Sequence, residues 1–164
     1  MKTGKLIFFC GKMGAGKTTR AREIVRELKG VLFSEDEWLG SVFPNRIQSL
    51  RDYVSYSNLL KPQIKKTVQD ILRAGVSVVM DFPGNTSDQR AWLKTIYAEV
   101  NAPHELVYLD VPDAICLSRI RLRRQDQPER AETDTQAMFE QVTKYFEPPN
   151  ESEGFNVNRQ ASDA

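Results

Sequence analysis

Apolar residues in this chain fall into two alternating kinds of run. Short continuous ones, at about Lys5 to Cys10, Val31–Ser34, Val76–Met80 and Glu105–Asp110, read as strands covered on both faces. Between them the apolar positions recur at helical spacing: Ala21, Ile24, Val25 and Leu28, then Ile64, Val68, Ile71 and Leu72, then Trp92, Leu93, Ile96, Tyr97 and Val100. Gly30 and Gly75 close the first two helices, and Thr86 with Gln89 has the spacing of a capping box at the start of the third. Pro112 opens a further helix, while Thr133 and Gln136 open a last one with Phe139, Val142 and Phe146 inward before Pro148-Pro149. Pro62 fits its helix only in the first turn. Gly154–Val157 is a weak fifth strand. The alternation predicts βαβ units and an α/β fold with a doubly wound, mostly parallel five-stranded sheet.

Where the first strand meets the first helix stands Gly11-Lys12-Met13-Gly14-Ala15-Gly16-Lys17-Thr18. Strand, glycine-rich loop and helix in that order make a phosphate-binding loop: the glycines let backbone N–H groups wrap an anion, Lys17 reaches the β- and γ-phosphates, and Thr18 binds Mg²⁺. The helix adds the positive end of its dipole. Thr19 joins the nucleotide-contacting set.

Acids at strand ends extend the site. Glu35-Asp36-Glu37 follows the second strand and Asp81 tips the third, both at the carboxyl edge where open α/β sheets bind ligands. Asp81 is the candidate acid for contacting the metal directly or through water. Asp36 is the leading base for an acceptor hydroxyl, with Glu35 and Glu37 as competitors. Arg119, Arg121, Arg123, Arg124 and Arg130 form a basic cluster, with Arg119 and Arg123 on one helix face and Arg124 on another. Arginines near a phosphate bind its oxygens bidentately. Arg90 suits either a substrate anion or a helix-surface salt bridge, and His104 a hydrogen-bonded structural role.

At 164 residues the chain supports one core, so residues 1–158 are expected as a single domain. Within it lie an acceptor-side cap at about 40–57 and a lid at about 119–132; residues 159–164 are expected as a flexible tail. Twenty-three Lys and Arg against 22 Asp and Glu give a formal charge of +1, which favours neither a polyanion nor an anionic membrane as a whole-surface partner. The first apolar run stops too early for a secretory signal, no segment approaches membrane-spanning length, and Cys10 and Cys116 both fall in buried elements. A cytoplasmic protein without a disulfide framework is the expectation.

With these residues in place the chain resembles P-loop kinases of the polynucleotide kinase, zeta-toxin and chloramphenicol phosphotransferase group. It is similar above all to small bacterial AAA-type ATP-binding proteins that carry Ser34-Glu35-Asp36-Glu37-Trp38, Asp81-Phe82-Pro83-Gly84-Asn85-Thr86, Gln89-Arg90-Ala91-Trp92 and Glu153-Gly154-Phe155-Asn156-Val157. The resemblance spans nearly the whole chain. It implies a P-loop NTPase three-layer αβα sandwich with the phosphate-loop strand central and a helical lid, ATP and Mg²⁺ as cofactors, and Lys17, Asp36, Arg119 and Arg123 in catalysis. It places Gly11 to Thr19 and Arg124 on the nucleotide, and Thr18 and Asp81 on the metal. Phosphoryl transfer to a hydroxyl of a small metabolite, or of a nucleic-acid end, is the implied activity; the alternative is a slow ATPase serving as a nucleotide-dependent switch. The Asp81-Phe82-Pro83 loop differs from the substrate loops of kinases with known acceptors, so no acceptor carries over.

Overall fold

The computed structural model describes residues 2–131 and 133–162. Glu132, at the end of the expected lid, and residues 163–164 of the expected tail lie outside the described residues. Five strands, β1 (Leu6–Cys10), β2 (Val31–Ser34), β3 (Val78–Asp81), β4 (His104–Asp110) and β5 (Val157–Ala161), form one sheet in the order β2-β3-β1-β4-β5. Every pairing is parallel. Six helices connect them: α1 (Lys17–Leu28), α2 (Glu35–Val42), α3 (Leu50–Arg73), α4 (Ser87–Ala98), α5 (Asp113–Asp126) and α6 (Gln136–Thr143). Among the described residues no helix is long and apolar enough to cross a membrane.

β1 is central and buried along its whole length, and its alternating side chains divide the core into two layers. Leu6, Phe8 and Cys10 pack with Ile64, Val68 and Leu72 of α3 and Leu93 and Ile96 of α4. Ile7 and Phe9 pack on the other face with Ala21 and Ile24 of α1, Cys116 and Ile120 of α5, and Phe139 of α6. The chain leaves β1 toward β2 and leaves β3 across β1 toward β4. The loops after β1 and β3 therefore part in opposite directions, opening a crevice at the carboxyl edge.

Four elements differ from the sequence expectation. The fifth strand lies at Val157–Ala161, paired with β4 from Leu106↔Val157 to Asp110↔Ala161, so residues 159–161 are strand rather than tail. It is an edge strand with four of five residues exposed, held partly by polar contacts such as Arg159 Nη2 to Asp110 at 2.6 Å, and so has no apolar signature. Glu35-Asp36-Glu37 forms the first turn of a helix, α2, that the apolar pattern does not show, because the Ser34 hydroxyl accepts from the Glu37 N–H as N-cap. The cap region is helical from Leu50, where Ser49 caps α3. Pro62 consequently sits mid-helix in a 24-residue α3, which tolerates one missing donor because Ser57, Ile64, Val68 and Leu72 bury its inner face. Finally, α6 is capped by Thr135 rather than Thr133.

Arg90 is neither on a helix surface nor open to a substrate: it is 1% exposed. Its Nε and Nη2 donate to the Glu153 carboxylate at 2.8 and 3.0 Å, and its Nη1 donates to the carbonyls of Gly84 and Glu147 at 3.0 and 2.8 Å. These bonds hold both Glu153 and Glu147 of the C-terminal segment against the loop after β3. Removing one partner of such a pair strands a buried charge. Glu153→Ala is expected to cost about 3 kcal/mol or more, read as a lower urea midpoint at unchanged m-value; a shift under about 1 kcal/mol would show the pair to be dispensable.

Candidate active site

Between β1 and α1 the backbone turns through Gly14 at φ 82° and Gly16 at φ 100°, conformations that side chains disfavour. A Cβ on Gly14 would also meet the Cys116 carbonyl at 2.6 Å, so α5 presses directly on the loop. The Ala15 N–H donates to the Lys12 carbonyl at 2.9 Å, and the Gly11 N–H to Asn85 Oδ1 at 2.8 Å. Lys12 itself is tied outward, its Nζ 2.7 Å from Asp113 and over the Phe146 ring, and Met13 packs into the core. Both therefore offer the site their backbone.

Thr18 and Asp81, read separately from the sequence, meet here: the Thr18 hydroxyl donates to Asp81 Oδ2 at 2.8 Å. Burial raises the Asp81 carboxyl above its ordinary range, opposed by the Lys17 charge and by the Thr18 bond. Among the described residues no group of three His, Cys, Asp or Glu gathers for a metal. A hydroxyl and a carboxylate side by side at a phosphate loop nevertheless fit Mg²⁺, which takes few protein oxygens and completes its shell with phosphate and water.

The three acids after β2 separate by environment. Glu35 is buried and accepts from the Ser57 hydroxyl of α3 at 2.6 Å. Glu37 is exposed, 3.8 Å from Arg22. Asp36 is exposed as well and lies two residues past Ser34, which pairs in register with Asp81 at the carboxyl edge of the sheet. Of the three, Asp36 alone combines access to a substrate with that position.

The arginine cluster divides as the helix period dictates. Arg119 reaches the phosphate loop, with Nη1 3.1 Å from the Ala15 carbonyl. It also lines a cleft of about 340 Å³ with Ala15, Gly16, Thr19, Arg20, Glu23 and Leu109. Arg123 turns instead to Asp134, donating through Nε and Nη2 at 2.6 and 2.9 Å; its expected place on the phosphates is occupied by this ion pair. Arg124 lines a separate cavity of about 130 Å³ with Leu117, Ile120, Arg121, Asp134 and Gln136, none of them a phosphate-loop residue. The structure thus brings Lys17, Thr18, Asp81, Asp36 and Arg119 together and leaves Arg123 and Arg124 out.

The sequence pattern places Arg130 only in a basic cluster and Asn85 only in a stretch shared with relatives, and gives no role to Asp134 or Ser57. The four-residue spacing of Arg130 and Asp134 was a usable signal for an ion pair; Asn85 and Ser57 act across the fold and had none. His104 is structural as expected: its Nε2 accepts from the Asn156 N–H at 3.0 Å, its ring stacks on Tyr97 at 4.0 Å, and burial lowers its pKa, favouring the neutral acceptor.

Burial pushes the Glu35 carboxyl up to about 7, against the Ser57 bond that favours ionisation. A carboxyl that holds its proton more tightly folded than unfolded contributes stability below the unfolded value of 4.5, and loses it as pH rises toward 7. Glu35→Gln keeps the neutral shape and the acceptor for Ser57. In Mg²⁺-free urea titrations the wild type is expected to lose on the order of 3 kcal/mol relative to Glu35→Gln between about pH 4.5 and just above 7; a pH-independent difference would refute the shift.

A family model described as AAA domain matches residues 6–149. A comparison with curated proteins finds no match. Among solved structures, the APS kinase CysC of Mycobacterium tuberculosis, in complex with AMPPNP and APS, aligns over 100% of this chain and 91% of its own at 16% identity and TM-score 0.68. Kti12 of Chaetomium thermophilum, in complex with ADP-AlF3, aligns over 96% and 89% at 19% identity and TM-score 0.70. A chain of the Pnkp1/Rnl/Hen1 RNA repair complex aligns over 90% of this chain and 47% of its own at 18% identity and TM-score 0.64. At these identities the likeness is one of fold, and the fold is that of P-loop kinases. By its phosphate loop, its parallel sheet and the match over most of its length, the chain belongs to the AAA domain family.

Proposed function

We propose that the protein is an ATP-dependent phosphotransferase that moves the γ-phosphoryl group to a hydroxyl of a small metabolite or of a nucleic-acid end. One observation carries the reading: an exposed carboxylate, Asp36, stands two residues beyond Ser34, the register partner of the same Asp81 that meets Thr18 beside Lys17. An acceptor hydroxyl needs a proton acceptor beside the phosphate loop, and an exposed carboxylate there can supply it. The kinases and the RNA repair complex sharing the fold support the class and differ among themselves in acceptor.

In this scheme the N–H groups of Gly14 to Thr18, with Lys17, hold the β- and γ-phosphates. Arg119 keeps its guanidinium at the rim of the loop, where it contacts the nucleotide. The cleft beside Thr19 and Leu109 takes the nucleoside. Thr18 and Asp81 would hold Mg²⁺, which when bound spreads positive charge over the phosphate oxygens. Asp36 accepts the acceptor's hydroxyl proton as the new O–P bond forms and the bond from the γ-phosphorus to the β–γ bridging oxygen breaks, leaving ADP.

Acceptor-dependent ADP release across small alcohols, sugars, nucleosides and oligonucleotide ends tests the reading. With the productive acceptor, Asp36→Asn is expected to lower kcat about 10²-fold while leaving ATP affinity within about twofold. Lys17→Ala is expected to abolish nucleotide binding, and Asp81→Asn the Mg²⁺ dependence. Turnover that never exceeds hydrolysis by water, together with full activity of Asp36→Asn, would replace the kinase by a slow ATPase switch.

A further inference from the structure

One face of α3 reads Ser57, Lys61, Lys65 and Gln69, residues four apart that stack one above another. Three of them have polar partners on neighbouring elements. Ser57 donates to Glu35 at 2.6 Å, Lys65 pairs with Glu99 at 2.6 Å, and Gln69 donates to the Ile96 carbonyl at 3.3 Å. Lys61 differs: its ammonium lies over the Trp92 ring, 5.1 Å from the centroid, and has neither an ion pair nor a hydrogen bond among the described residues. The residue is only partly exposed, and its cation rests on an aromatic face rather than on an acid.

Two independent contacts place this cation near the carboxyl edge of the sheet. One turn before it, Ser57 is bound to Glu35, the residue that follows β2 and precedes Asp36. Beneath it, Trp92 packs on Phe82, the residue that follows β3 and Asp81, with ring centroids 5.9 Å apart. α3 runs from that edge toward the opposite one, where the Leu72 carbonyl accepts from the Gly4 N–H. A helical side chain leans toward its own N-terminus, so the Lys61 stem points back to the edge where Asp36 and Asp81 stand. The cleft of Thr19, Arg20 and Leu109 lies across the sheet, in the layer of α1 and α5.

We propose that Lys61 anchors the acceptor, and that the acceptor is a small hydroxyl compound bearing an anionic oxygen group, a phosphate ester or a carboxylate. This rests on the phosphotransfer reading of Asp36. An ammonium with no acid beside it takes up an anion without first breaking an existing pair. An anion held there sits one helical turn, about 5.4 Å, below the Ser57–Glu35 contact, and the rest of the molecule extends from it toward Asp36. A single charge set between two helices suits one compact anion, whereas a polynucleotide spreads its affinity over many phosphate contacts.

Trp38 and Trp92 are the chain's two tryptophans, so Trp38→Phe leaves Trp92 to report the charge above it. With Mg²⁺ and ADP filling the phosphate loop, Lys61→Met in that background is expected to lower iodide quenching of Trp92 about twofold and to leave quenching by neutral acrylamide unchanged. Unaltered iodide quenching would show that no available cation stands there and would overturn the site. Acceptor-dependent ADP release then compares glycerol with glycerol phosphate and glycerate, ribose with ribose phosphate, and an oligonucleotide end. An anionic small acceptor is expected to be turned over. Lys61→Met is expected to raise its KM about tenfold with the KM for ATP held within about twofold, and Lys61→Arg to recover most of the loss. A merely structural lysine would lower the melting temperature of Lys61→Met and leave the acceptor KM unmoved, which overturns the proposal. Turnover of a neutral acceptor or of the oligonucleotide, indifferent to Lys61→Met, leaves phosphotransfer standing and shows the Lys61 assignment alone to be wrong. If nothing is turned over beyond hydrolysis by water, the phosphotransfer reading falls and takes the acceptor role of Lys61 with it.

Discussion

The structure depends on how tightly the phosphate loop is braced from behind. Gly84 lies so close to β1 that a Cβ there would stand 2.2 Å from the Phe9 carbonyl, and the next residue, Asn85, accepts the Gly11 N–H. Asn85 is fixed in turn: its own N–H donates to Gln89 Oε1, and its carbonyl accepts from the Glu147 N–H. Arg90 closes the assembly from beneath, bound to the Gly84 carbonyl on one side and to Glu147 and Glu153 on the other. The burial of a guanidinium is costly in isolation and sustainable here because four oxygen acceptors surround it. The loop's entrance is thus fixed by groups distant in sequence, and an anion site built from backbone N–H groups needs that fixity.

This brace gives a physical meaning to stretches that sequence similarity marks without explaining. Gly84-Asn85-Thr86, Gln89-Arg90 and Glu153 are parts of one hydrogen-bonded assembly behind the phosphate loop, while Phe82 packs into the core and Asp81 turns forward to Thr18. The same motif therefore supports the loop with one end and meets the candidate metal site with the other. Its residues specify how the donor end is held and carry no information about what accepts the phosphoryl group.

Legibility from the sequence followed the kind of force that fixes each element. The β1 strand, the phosphate loop, α1 and the capped start of α4 are specified by local pattern, and all were readable. Arg90 was not, because a buried arginine breaks the polar-outside rule, although its spacing to Leu93 and Tyr97 puts it on the inward face of α4. β5 was placed too early, at Gly154–Val157 instead of Val157–Ala161, because an edge strand held partly by Arg159 and Gln160 lacks an apolar pattern. Glu35 and Asp36 are neighbours in a first helical turn, and only the packing of α3, which sends Ser57 to Glu35, separates the buried acid from the accessible one.

The arginine cluster shows the same limit at finer scale. A period of 3.6 residues correctly separates Arg119 and Arg123 from Arg124, and then fails to separate Arg119 from Arg123. What separates them is an acid eleven residues further on, in the connection after α5, which engages Arg123 and leaves Arg119 to the loop carbonyls. Helix geometry determines which arginines can reach a phosphate, and the placement of one buried carboxylate determines which of them remain available to it. The function of a lid arginine is accordingly a property of its acidic partner as much as of its own position.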